Sequence, residues 1–112
     1  MPSQIIRVDA LRSVANGSIT SSYVALGTPF GHTMRMIRII NNTNGDVFIS
    51  FDAVNDNLFV PANSFVLYDG TANNEDAVLY FVFAIGTQVY IKYSSAPSTG
   101  SVYVETIYGQ GE

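Results

Sequence analysis

Apolar residues alternate with polar ones along most of the chain, and no segment carries a sustained helical stripe. Thr20 to Leu26, Met34 to Asn41, Val47 to Phe51, Leu58 to Val60, Phe65 to Tyr68, Val78 to Phe83, Gln88 to Tyr93 and Ser101 to Tyr108 are rich in Val, Ile, Phe, Tyr and Thr. Gly, Asn, Asp, Ser and Pro separate them, so each is predicted to be a strand, with Ile5 to Val8 a candidate ninth. Alternation assigns faces in the last two. Val89, Ile91 and Tyr93 oppose Gln88, Tyr90 and Lys92, and Val102, Val104 and Thr106 oppose Tyr103, Glu105 and Ile107. Two stretches resist this assignment. "AVLYFVFAIG" is apolar on both faces, which suits a central strand covered on each side or an edge that meets a partner. Met34 to Asn41 is mixed, and simple alternation sends Arg35 and Arg38 to opposite faces.

The connectors sharpen the picture. Asn44-Gly45 is expected to supply the positive backbone dihedrals of a tight hairpin turn, and "SSAPSTG" to join two strands into a long hairpin. Pro61 and Pro97 fall just outside strands, where a missing N–H does no harm. About eight short strands at a spacing of roughly ten residues fit an all-β, antiparallel, two-sheet β-sandwich, jelly-roll-like in topology. A chain of 112 residues allows one such domain, placed over 18–112. The preceding segment 1–17 reads either as an N-terminal arm reaching a neighbour or as the first strand of the same domain.

Composition changes what the surface is expected to do. Charged residues make up 12% of the chain, about half the roughly 25% of an ordinary soluble domain. Seven Tyr and seven Phe face a single Lys. Such a surface loses less on being stripped of water than one covered with ions, and protein interfaces share its bias towards aromatic residues. A net charge of -4, with basic residues scattered as Arg7, Arg12, Arg35, Arg38 and Lys92, opposes binding to nucleic acid. The start "MPSQIIRVD" lacks the apolar core of a signal peptide, and no apolar run approaches membrane-spanning length, so a membrane partner is not expected. With no cysteine, neither disulfides nor a thiolate metal site can form.

Candidate chemistry is sparse. Asp52, Asn55, Asp56 and Asn57 could offer oxygens to calcium, yet the run lacks the EF-hand glycine and closing glutamate. Asp and Asn at strand ends also close turns by bonding their own backbone, and this is the expectation here. The second acidic loop, with Asp69, Asn73, Asn74, Glu75 and Asp76, is read the same way. Hydrolysis by Asp52 with Asp56 would need a substrate cleft that a domain of this size barely has room for. The lone His32 has no nucleophile elbow, and zinc would lack ligands. No enzyme and no cofactor are expected. Tyr80, Tyr90, Tyr93, Tyr103 and Tyr108 could build a sugar-stacking face, although interface tyrosines explain them as well.

The succession "RIINNTNGDVFISFDAVNDNLFVPANSFVLYDG" and "FAIGTQVYIKYSSAPSTGSVYVETIYGQ" resembles small virion structural proteins of tailed bacteriophages, over roughly Arg38 to Gln110. In these a strand ending in Ile-x-Asn precedes an Asn/Asp-Gly turn, an "ISFD" strand, a "PANS" corner, a "GTQ" strand, a Pro-Ser-x-Gly hairpin and a "SVYV" ending. The resemblance implies a non-enzymatic structural protein located in the virion and made in the host cytoplasm, with no catalytic residues to carry over. A capsid decoration or cement protein comes first, held to the major capsid protein or other virion proteins and expected to form a homo-oligomer, with a trimer the first expectation. Alternatives are a head–tail connector, collar or tail component, and a carbohydrate-binding module for host attachment. The residues expected to meet partners are Ile5, Ile6, Val8, Leu11, Tyr80, Phe81, Phe83, Tyr90 and Tyr103.

Overall fold

The computed structural model describes residues 4–69 and 83–111. Among them nine strands form two antiparallel sheets. They are β1 (Gln4–Val8), β2 (Arg12–Ala15), β3 (Val24–Ala25), β4 (Met34–Thr43), β5 (Val47–Ser50), β6 (Leu58–Val60), β7 (Ser64–Asp69), β8 (Tyr90–Tyr93) and β9 (Gly100–Gly111). One sheet has the order β1-β9-β4-β7, with β2 pairing β9 further along the same edge as β1. The other has the order β3-β8-β5-β6.

The pairing is nested: β2 with β9, β3 with β8, β4 with β7, β5 with β6. The chain is thus one long hairpin rolled over on itself, closed into two sheets by the added pairs β4–β9 and β5–β8. This is the jelly roll that the strand spacing anticipates. Ile37, Ile39, Val102 and Val104 from one sheet meet Val47, Ile49, Val60 and Ile91 from the other, all fully buried. Leu26, Phe30 and Val89 extend the core beyond the strands.

Three expectations change. Asn44-Gly45 does not make a hairpin, because β4 and β5 belong to different sheets. Neither residue has positive φ. Gly45 is required instead by close approach, since a Cβ there would lie 2.2 Å from the Ser95 carbonyl oxygen. The "SSAPSTG" segment likewise carries the chain from one sheet to the other between β8 and β9. The two crossings run side by side. The Ser94 and Ser95 N–H groups donate to the Asp46 carbonyl at 2.8 and 3.3 Å, and Ser98 N–H donates to Asn44 Oδ1 at 2.8 Å. Third, the mixed pattern of β4 comes from a bulge between Met34 and Met36, which adds one residue to the strand. It resets the phase, so that Met34 and Ile37, three apart, are both buried.

Two strands depart from the expected ranges for local reasons. The strand expected from Thr20 shrinks to Val24–Ala25 because Thr20 Oγ1 closes a turn on Ser22, donating to its carbonyl and accepting from its N–H. β2 has little aliphatic alternation to announce it, because the first of its two inward positions is held by Arg12 and only the second, Val14, is aliphatic. The Arg12 side chain is only 8% exposed. Its Nε donates to Thr28 O at 2.8 Å, its Nη atoms to Asp9 Oδ2, Thr106 Oγ1 and Pro29 O, and its guanidinium lies 5.1 Å from the Phe30 ring centre. The strand expected over Val78 to Phe83 lies outside the described residues except for Phe83, which exchanges two 2.8 Å backbone bonds with Met34.

Candidate interaction surface

The acidic run after β5 is a turn built from its own side chains. Asp52 Oδ1 accepts from Ser50 Oγ (2.8 Å) and from the Val54 and Asn55 N–H groups (both 2.9 Å), while Oδ2 accepts from Asn55 Nδ2 at 2.7 Å. Asn57 Oδ1 takes the Phe51 N–H. These donors, the Asn55 N–H first, hold the Asp52 carboxyl well below its ordinary pKa. Asp56 turns away to the second sheet, where the Tyr23 hydroxyl donates to it and Lys92 Nζ sits 3.2 Å away. Those contacts lower its pKa, and burial together with Asp56 raises that of Tyr23. The run closes a turn, as expected, and Asp52 and Asp56 are committed to different partners instead of converging on one ion or on one substrate. Among the described residues no group of three or more His, Cys, Asp or Glu could hold a metal ion. His32 stacks on Tyr108, with ring centres 3.7 Å apart. Of the second acidic loop only Asp69 is among the described residues.

The tyrosines do not share a platform. Tyr103 is on the outer face of the first sheet and Tyr90 on the outer face of the second, while Tyr93 and Tyr108 pack against the core. Tyr80 lies outside the described residues. Among the described residues of this set no shared sugar-stacking surface is formed.

The outer face of the first sheet is built differently. Directly opposed residues of neighbouring strands share a face, and the register lines up cross-strand rows outside the core. Ser13, Tyr103, Ile40 and Phe65 form one row; Glu105, Arg38 and Leu67 the next; Val8, Ile107, Met36 and Asp69 the third. Phe65 is 57% exposed, Leu67 50% and Val8 74%. The charges in the middle row neutralise one another: Arg38 Nε donates to Glu105 Oε1 at 2.7 Å, with the guanidinium carbon 5.6 Å from the Phe65 ring centre. The opposite face of the sandwich is smaller and aromatic around one cation. There Lys92 lies over the Tyr23 and Phe48 rings at 4.7 and 5.7 Å and Phe48 meets Phe59.

Of the expected partner residues, Val8 and Tyr103 join the apolar face. Ile5 and Ile6 are in β1, paired with Gln110 and Gly109 of β9. Leu11 is 57% exposed between β1 and β2. Phe83 is half-buried against the core and meets the Phe51 and Tyr68 rings. Tyr90 is on the other sheet, and Phe81 lies outside the described residues. Met36, Ile40, Phe65, Leu67 and Ile107 complete the face without having been singled out. Their signal was apolar residues on the side of a strand opposite its core positions.

No family model matches the chain, and no curated protein matches it either.

Proposed function

We propose that this protein is a non-enzymatic structural subunit of a phage virion, most nearly a capsid decoration protein, which works by covering and being covered. The observation that carries the reading is the outer face of the first sheet, where Val8, Met36, Ile40, Phe65, Leu67, Tyr103 and Ile107 surround the neutralised Arg38–Glu105 pair, with Asp69 exposed at the edge strand β7. Exposed apolar surface gathered on one face marks an interaction site. An ion pair that is already satisfied can be covered without stranding a charge. The sequence resemblance and the low charge support the same reading. The jelly roll is used by capsid and lectin domains alike, so the fold by itself selects neither. A subunit that binds the assembled shell more tightly than its dissociated parts stabilises that shell by mass action.

The test is to mix the purified chain with shells assembled from the major capsid protein of the phage whose genome carries it. Co-sedimentation, a raised shell melting temperature and density on the shell surface are expected. A chain left in the supernatant overturns the reading, and density confined to the unique vertex replaces decoration with a connector or tail role.

A further inference from the structure

We infer that the outer face of the first sheet packs on the same face of a second copy of this chain, about a twofold axis that runs along the strands between β4 and β9. The inference rests on the reading of that face as the interaction surface and names its occupant. A rotation about this axis exchanges the two strands. It sets Arg38 of one copy over Glu105 of the other, Met36 over Ile107 and Ile40 over Tyr103, each pair now meeting twice. Charge complementarity is therefore built in. The middle row carries one cation beside one anion, and the twofold operation turns them into an alternating square, while the third charge of the face, Asp69, is exposed on the edge strand β7. The guanidinium has donors beyond the Nε that Glu105 already takes, so it can serve both carboxylates. A threefold ring joins two different patches, whereas this one complements itself.

The size is adequate. Strands about 4.8 Å apart with outward residues about 6.8 Å apart give each side chain roughly 33 Å² of sheet. The three rows then cover roughly 350 Å² in projection, and on the order of 600 Å² of accessible surface once side-chain relief is included. Two copies bury about 1,200 Å², the lower bound of specific interfaces. The contact is accordingly a reversible one that a lattice can reinforce.

Sedimentation of the full chain from about 1 µM to about 200 µM, the weak end of interfaces this size, is expected to show a monomer–dimer equilibrium. Arg38→Glu and Glu105→Arg alone each place like charges across the axis and weaken association by at least about tenfold, with unchanged circular dichroism. Their equimolar mixture restores the dimer as a heterodimer, because each mutated charge then faces its opposite in the other chain. Leu67→Glu, at an exposed site, also yields a monomer. A wild-type chain that stays monomeric throughout, or a mixture no better than its components, overturns the inference. Shell binding separates the two claims. A monomer that still binds shells removes the twofold contact and leaves the virion role standing, and a dimer indifferent to shells does the reverse.

Discussion

Replacing Asn41 by Leu tests whether the corner of the sandwich is held by polar bonds or by packing. Asn41 is fully buried where β4 leaves the first sheet. Its Nδ2 donates to the Gly45, Val60 and Pro61 carbonyls at 2.8, 3.0 and 3.2 Å. Its Oδ1 accepts from Thr43 N–H at 3.1 Å and from Thr43 Oγ1 at 2.6 Å. One side chain thus ties the β4–β5 crossing to the β6–β7 crossing. Leucine has nearly the same shape and loses all of these bonds. Gly45 O takes the Thr43 hydroxyl proton that Asn41 Oδ1 releases, across 3.0 Å, so its loss is small. The Thr43 N–H and the Val60 carbonyl lose a buried partner, at about 1–3 kcal/mol for each group left unsatisfied, while the Pro61 carbonyl is only part-buried and loses less. Greater burial of apolar surface returns about 1 kcal/mol. The net expectation is a loss of about 3 kcal/mol, a large share of the 5–15 kcal/mol typical of a domain. Asn41→Asp is expected to be worse, since it aims an oxygen at three carbonyls. Urea unfolding followed by circular dichroism gives the number. A loss below about 1 kcal/mol for Leu would refute the argument and assign the corner to packing.

Arg12→Met keeps the stem and removes the guanidinium from Asp9, Thr28, Pro29 and Thr106, with an expected loss of about 2–4 kcal/mol and faster amide exchange in β1 and β2. Ala53 has φ of 63°, a left-handed conformation, so Ala53→Gly is expected to raise stability by about 0.5–1 kcal/mol in the same unfolding assay. Asp52 and Asp56 both titrate lower in the folded protein than in the unfolded chain. Their contribution is complete above the unfolded value near pH 4 and is lost as pH falls below it. Melting temperature should therefore drop in that acid range, and Asp52→Asn should flatten part of the drop; an unchanged acid limb would count against the turn bonds.

Where alternation was simple, the strands were legible. In β9 the inward Val102, Val104 and Thr106 are buried and the outward Tyr103, Glu105 and Ile107 are half-exposed, as the pattern requires. What was not legible was which sheet a strand joins. Asn44-Gly45 has the composition of a hairpin turn, yet the direction of the chain after it is set by Asn41 bonding carbonyls as far away as Val60, nineteen residues on. No local pattern encodes that partner. β2 was missed because a buried arginine takes the place of an aliphatic residue, and it becomes tolerable only when the loop at Thr28 and Pro29 closes over it. The bulge in β4 defeated face assignment by inserting one residue, which no period of two can follow.

The apolar face was harder to see for a related reason. A sequence shows that Phe65 and Leu67 are on one side of β7 and Val66 on the other, but not which side meets the core; the structure packs Val66 inward and leaves Phe65 and Leu67 out. Likewise Arg38 and Glu105, sixty-seven residues apart, read as two solvated ions until the β4–β9 register makes them one neutral pair. Low charge over the whole chain pointed towards burial by partners without locating it. The apolar face itself comes from topology: the nested pairing sets β4 and β9 side by side in the middle of one sheet, so their outward residues share a face flanked by β7 and the N-terminal strands. A change that breaks the register of β4 on β9 should therefore abolish association along with the fold. A change at Leu67 should abolish association alone, and that difference is the sign that the face is there to be covered.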